Sequence, residues 1–272
     1  AGTVWSETLG FTAATNNVNT FTGVSGGAWE TAANWSLQSV PAASHTVVIP
    51  NGKTVTLAGE GVAGALQIAP GAVLSVGGAT TTIDWRAPLD PARTAPVGLQ
   101  VGGDALVGGN LAIGGLNQAC ASYLTVGGNL TFSNTLAAAQ HARLAIYAGP
   151  VDGTPSGFQA GGAQVTVGGK TALKNAWIYP YCHQLSGGPV VFSLQDVAIA
   201  SDSGFNATGR GYALVGGVYG PGAPAAVATG GSHGGLGGNA AFNSTYGYAY
   251  APFIPGSPGR LTKADPRGNG GG

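Results

Sequence analysis

Ten carboxylates carry most of the chemistry this 272-residue chain could do: Glu7, Glu30, Glu60, Asp84, Asp90, Asp104, Asp152, Asp196, Asp202 and Asp265. Cleaving a polysaccharide would need at least two of them on one face, with neighbours that tune one as acid and one as base. Asp196 and Asp202, six residues apart with Arg210 close behind, are the best-spaced group. Two stretches match G-x-S-x-G, Gly23-Val24-Ser25-Gly26-Gly27 and Gly230-Gly231-Ser232-His233-Gly234. A nucleophile elbow needs a strand before it and a helix after it. Neither stretch is followed by a helical pattern, and a chain with 50 glycines makes such matches by chance. His45, His141, His183 and His233 lack metal-ligand spacing. His233, set among glycines, is a candidate donor across an interface. The Asp-bearing Gly-rich nonapeptide of calcium arrays is absent, so no cofactor is expected and only an isolated calcium site stays open. The expectation is therefore no catalytic, cofactor or metal residue.

Cys120 and Cys182 are the two cysteines. In an exported protein they would form a disulfide; two separate buried side chains are the alternative. Asn34, Asn129, Asn206 and Asn243 each open an N-x-Ser/Thr triplet. Asn34 and Asn129 lie beside expected core strands, which leaves Asn206 and Asn243 as glycosylation candidates. The formal net charge is +0, so a basic nucleic-acid surface is not expected. No apolar run reaches the eighteen residues of a membrane span.

The elements that must position these residues are short strands. From Val97 to Phe132 the chain alternates apolar with small or polar residues and breaks repeatedly at Gly-Gly. Period-two alternation marks strands with one buried face. Val-Gly-Gly recurs from positions 76, 101, 107, 126, 167 and 215. The Gly-Gly pairs read as corners, where glycine takes a positive φ at no steric cost. Repeats of strand and corner predict a β-solenoid, whose stacked units bury a column that no single unit can bury. A β-sandwich with Gly-Gly turns is the alternative. Only 7% of residues are charged while 44% are hydrophobic. A surface so poor in charge repels its own copies weakly and favours self-association.

Residues 26–76 carry a family resemblance. The run holds Gly26-Gly27-Ala28-Trp29, Ala33-Asn34-Trp35-Ser36, Val40-Pro41, and Val47-Val48-Ile49-Pro50-Asn51-Gly52-Lys53-Thr54-Val55-Thr56-Leu57. It resembles the opening segment of large secreted bacterial surface proteins, where GxW…NWS…VP…VxIPxGxTVTL leads into parallel β-helix rungs. The segment GGSHGGLGG at 230–238 resembles Gly-rich segments of the same proteins. The resemblance implies a right-handed parallel β-helix. Trp29 and Trp35 would then plug the first rungs, with sugar stacking as the other use of such rings. Ser44-His45 stand where those proteins often have an acidic residue, so no ion site is carried over.

The division expected is a cap and lead-in over 1–40, β-helix rungs with loop insertions over 41–217, and a Gly/Pro/Tyr-rich segment over 218–272. The start at Ala-Gly-Thr reads as a mature chain after signal cleavage, hence secreted, extracellular, at the cell surface. The function expected is structural: a subunit of a filament or surface layer that associates with itself. Tyr246, Tyr248, Tyr250 and His233 would serve as contacts. A carbohydrate-binding or adhesive module contacting surface glycans is the alternative, and a β-helix polysaccharide-degrading enzyme the third.

Overall fold

A computed structural model describes residues 17–77, 95–116, 118–134, 140–150 and 162–212. Seventeen strands run in order: β1 (Val18–Thr20), β2 (Gly27–Ala28), β3 (Thr46–Ile49), β4 (Thr54–Leu57), β5 (Glu60–Ala63), β6 (Ala65–Ile68), β7 (Val73–Val76), β8 (Val97–Val101), β9 (Ala105–Val107), β10 (Asn110–Ile113), β11 (Ser122–Val126), β12 (Leu130–Ser133), β13 (Ala142–Tyr147), β14 (Ala163–Lys174), β15 (Ala176–Tyr181), β16 (Val190–Ile199) and β17 (Gly204–Phe205). The alternation in the sequence is why they form. In β3 and β4 every second residue is buried: Val47, Ile49, Val55 and Leu57 point inward, with Thr46, Val48, Thr54 and Thr56 at the other positions.

The strands build two sheets, and all their pairings are parallel. One has ten strands in the order β1-β3-β6-β9-β12-β14-β11-β8-β5, with β16 also on β14. The other has seven, ordered β17-β15-β13-β10-β7-β4-β2. The larger curls as a half-barrel, with nine strands around an axis. This corrects the expected right-handed parallel β-helix. Its corner fails at Gly168-Gly169. There β14 continues extended for twelve residues, with a register shift between Val167 and Lys170. The first half of β14 pairs with β11 and the second with β12, so ladders expected on separate faces fuse into one sheet. The β-sandwich alternative is also corrected, since a sandwich is built from antiparallel pairs and every strand ladder here is parallel.

The glycine pairs need a different explanation too. Gly102, Gly103, Gly127, Gly128, Gly168 and Gly169 are not among the positive-φ residues. All of them but Gly102 are glycine because the neighbouring strand approaches closely. A Cβ on Gly168 would lie 2.5 Å from the carbonyl oxygen of Gly127, and one on Gly103 2.9 Å from that of Gly64. Val101, Val126 and Val167 sit side by side in one ladder, as the repeat predicts. Val76 does not join them; it pairs with Ile113 in the seven-stranded sheet.

Inward residues of both sheets form one apolar column that includes Leu66, Leu99, Leu124, Phe132, Leu144 and Ile178. Its N-terminal end is closed by aromatics. Phe21, Trp29 and Trp35 are almost fully buried, and Trp35 packs edge-on against the other two at 5.3 and 5.0 Å. Trp35 Nε1 donates to the Trp29 carbonyl at 2.8 Å. These tryptophans are therefore core plugs. Asn19, also buried, holds the following loop: its Nδ2 donates to Ser39 O at 2.9 Å and its Oδ1 accepts from Leu37 N at 3.1 Å. Among the described residues no helix is long and apolar enough to cross a membrane.

Candidate functional site

The groups singled out by sequence spacing are not brought together. Asp196 lies on β16 in register with Lys170 of the ten-stranded sheet. Asp202 stands in the turn before β17, where its Oδ1 accepts the Asn175 N–H at 3.1 Å and the Ser203 hydroxyl at 3.2 Å. The Asn175 N–H is the main reason its carboxyl is held below the usual range, with the Ser203 hydroxyl and nearby His141 adding to it. Arg210 is turned toward two tyrosines instead. His45 Nδ1 accepts the Ala42 N–H at 3.2 Å, and His183 Nδ1 meets the Ser186 N–H and hydroxyl at 3.1 and 2.7 Å, so both rings brace turns. Cys120 and Cys182 are each buried as thiols rather than joined, and burial pushes the Cys182 thiol up. Asn206 is half-buried, and its Oδ1 accepts from Thr208 N at 3.1 Å and Arg210 Nη1 at 2.9 Å. Asn243, His233, Tyr246, Tyr248 and Tyr250 lie outside the described residues.

The outer face of the ten-stranded sheet carries a shallow cavity of about 300 Å³, lined by Asp104, Ala105, Leu106, Asn129, Thr131, Lys170 and Ala172. Its polar groups are tied into the ladder. Asp104 Oδ1 accepts the Asn129 N–H at 2.6 Å, and Asn129 Oδ1 accepts the Lys170 N–H at 2.9 Å. Asp104 and Asn129, each following a Gly-Gly pair, thus secure the next strand. The lining holds one carboxylate, where glycoside hydrolysis uses two. Among the described residues, no group of three or more His, Cys, Asp or Glu is placed to hold a metal ion.

The outer face of the seven-stranded sheet is different. Along β15, Ala176 and Ile178 enter the core, which turns Trp177, Tyr179 and Tyr181 outward. Along β13, Leu144 and Ile146 enter the core, which turns Arg143, Ala145 and Tyr147 outward. Parallel register sets Arg143 beside Trp177, Ala145 beside Tyr179 and Tyr147 beside Tyr181. Tyr147 and Tyr181 stack with centroids 4.4 Å apart, within a small second apolar cluster that includes Ala112 and Leu116. Burial, then the neighbouring Tyr181, push the Tyr147 phenol well above the ordinary range, so it stays neutral. The Arg210 guanidinium lies 4.6 Å from the Tyr179 ring centroid and 4.8 Å from that of Tyr181, a cation–π arrangement. His141 meets Trp177 edge-on at 6.3 Å. Trp177, Tyr179, Arg143, Arg210 and His141 are half-buried, so each keeps an exposed edge.

Of the residues on this face, the sequence alone points only to Arg210 and His141, and for other roles. The usable signal was the period-two aromatic run Trp177, Tyr179, Tyr181. Comparison with family models, with curated proteins and with solved structures gives no match for this chain.

Proposed function

We propose that this chain is an extracellular structural protein that assembles with copies of itself, as a filament or surface-layer subunit. One observation carries the reading: among the described residues, the apolar column ends open at β16. Val197 and Ile199 align with Thr171 and Leu173, both buried, so they continue inward-facing positions. Yet Val197 is 42% exposed and Ile199 49%. Beyond β14, β16 has no strand partner among the described residues, and at the other end β1 pairs only with β3 and β2 only with β4. A parallel edge offers unpaired N–H and C=O groups to another strand. Joining the β16 end of one copy to the β1 end of the next would continue the sheets and cover the column. Such a head-to-tail contact does not close, and contacts of that kind propagate as filaments.

Sedimentation velocity over a range of concentrations tests this. The native chain is expected to form larger species as concentration rises. Ile199→Lys, with an unchanged far-UV circular dichroism spectrum, is expected to stay monomeric. A native chain that remains monomeric throughout, or an Ile199→Lys variant that assembles as the native chain does, overturns the proposal.

A second reading, an adhesive module that binds surface glycans, is favoured by Trp177, which β15 turns outward and leaves half-exposed, since an aromatic ring that stands on a surface offers a stacking platform.

A further inference from the structure

We propose that Asp196 sets the register of the contact between copies: at the open end its carboxylate accepts the Val18 N–H of the next copy. The inference rests on the head-to-tail reading and names the residue that aligns the two ends. Three observations converge on it.

First, the protein already makes this kind of bond within itself. Ser25 Oγ accepts the Thr54 N–H at 3.0 Å and Glu30 Oε1 the Ala58 N–H at 2.6 Å. Asp104 Oδ1 accepts the Asn129 N–H at 2.6 Å and Asn129 Oδ1 the Lys170 N–H at 2.9 Å. In each case a side chain takes the backbone N–H of a strand or turn later in the chain. The last two bonds climb one row. Asp104, Asn129 and Lys170 stand side by side, because the residues that follow them, Ala105, Leu130 and Thr171, are register partners. Lys170 has no acceptor oxygen in its side chain, and the next residue in the row is Asp196. Asp196 is exposed and accepts no hydrogen bond among the described residues. Asp202, in the turn that follows, is spent on the Asn175 N–H. The end strand therefore carries an acceptor in the row where earlier strands use one.

Second, the same row begins at Val18. Val18 pairs with Thr46, Thr46 pairs with Ala65, and Ala65 lies beside Asp104. The Phe21 N–H donates to Val48 O at 2.9 Å, so the backbones of Phe21 and Asn19 face β3. Alternation in a parallel strand then turns Thr20 and Val18 off the edge. Ser36 closes the edge at Thr20: its Oγ accepts the Thr20 N–H and its N–H donates to Thr20 O, both at 2.9 Å. Val18 is thus the position of β1 turned toward an incoming strand.

Third, the two ends match in character. Val197, Ile199 and Phe205 are exposed on the last strands, and Val24, Leu37 and Val40 on the first turns of the chain. Leu37 stands at the closed end of the column, where its N–H donates to Asn19 Oδ1 at 3.1 Å. Apolar contact between these ends rejects a slip of one residue, which would turn Val197 and Ile199 outward, yet it tolerates a slip of two. An acceptor fixed at one position and aimed at one N–H rejects both. Apolar burial supplies the attraction, and Asp196 supplies the alignment.

The test is sedimentation velocity of the full chain with two changes at this position. Asp196→Ala removes the acceptor and should weaken association about tenfold. Asp196→Asn should assemble close to native, because Asn129 does the same work as Asp104. Both variants should keep the native urea midpoint at concentrations where the chain is monomeric. Register is read by disulfide formation between copies. Asn17 and Gln195 precede Val18 and Asp196, so Asn17→Cys should cross-link to Gln195→Cys under mild oxidation and not to Ser193→Cys, two residues away. Native-like assembly of Asp196→Ala overturns the role of Asp196 while sparing the head-to-tail reading, and so does equal loss in Asp196→Asn. Cross-linking through Ser193→Cys instead of Gln195→Cys overturns the register. A native chain that stays monomeric overturns both the inference and the reading beneath it.

Discussion

Gly168→Ala isolates the claim that the glycine pairs serve close backbone approach. The new Cβ would stand 2.5 Å from the Gly127 carbonyl oxygen, about 0.9 Å short of an ordinary contact at 3.4 Å. That oxygen is not the end of a flexible side chain. It belongs to a peptide held between the Gly127 N–H bond to Val101 O at 2.8 Å and the Gly128 N–H bond to Gly103 O at 2.9 Å. Relief must therefore stretch the ladder itself. Overpacking of this kind costs about 1–3 kcal/mol, and a backbone obstacle places it near 3. A domain of this size loses about 2–4 °C of Tm per kcal/mol, so the expected fall is about 6–12 °C. Gly102→Ala is the internal control. It sits in the same column, but its Cβ would meet nothing closer than Gly64 O at 3.7 Å. With no clash and less backbone freedom in the unfolded chain, it should be neutral or stabilise by about 0.4–1 kcal/mol. Urea unfolding followed by circular dichroism measures both, with m-values checked for a shared transition. Equal tolerance of the two variants, or a larger loss at Gly102, would refute the reasoning.

Two further outcomes follow from the same geometry. Trp35→Ala should cost about 3–5 kcal/mol by opening the aromatic plug. Trp35→Phe should cost less, about 1–3 kcal/mol, mainly for the Trp29 carbonyl left without its donor; both are read from urea midpoints, and a neutral Trp35→Ala would contradict the plug. Tyr123 lies across Gly98 and donates to Glu60 Oε1 at 2.8 Å. Burial first, then the Glu60 hydrogen bond and charge, raise its phenol to about 12. Its folded value is raised, so its contribution to stability is whole below the unfolded value of 10.0 and is lost as pH climbs through about 12. Ultraviolet phenolate titration should show, in addition to buried Tyr147, a late tyrosine that Glu60→Gln brings down and Tyr123→Phe removes; an unchanged number of late phenols after Glu60→Gln would count against the assignment.

The strands were largely legible because alternation is local: Val47 to Ile49, Thr54 to Leu57 and Leu124 to Val126 declare a buried face within a few residues. Burial of Trp29 and Trp35 was legible for the same reason, as large rings flanking short strands. What Gly-Gly does was not legible. Gly114 takes a positive φ, whereas Gly127 and Gly168 avoid the carbonyl of a strand many residues away. Only the three-dimensional register tells these apart, and it made β14 run on where a corner was expected. The acids misled for a related reason. Asp196 and Asp202 are near in sequence, but they belong to a strand of the ten-stranded sheet and a turn entering the seven-stranded one. The aromatic face depended on which side of β15 met the core, and that was set by Ala176 and Ile178 rather than by the aromatics themselves.

The central claim is that the open column at β16 is covered by another copy of the chain. Negative-stain electron microscopy of the purified native protein tests it most directly, with Ile199→Lys imaged alongside. The account predicts regular fibres or sheets from the native chain and dispersed particles from the variant. Uniform single particles from the native chain at high concentration would contradict it.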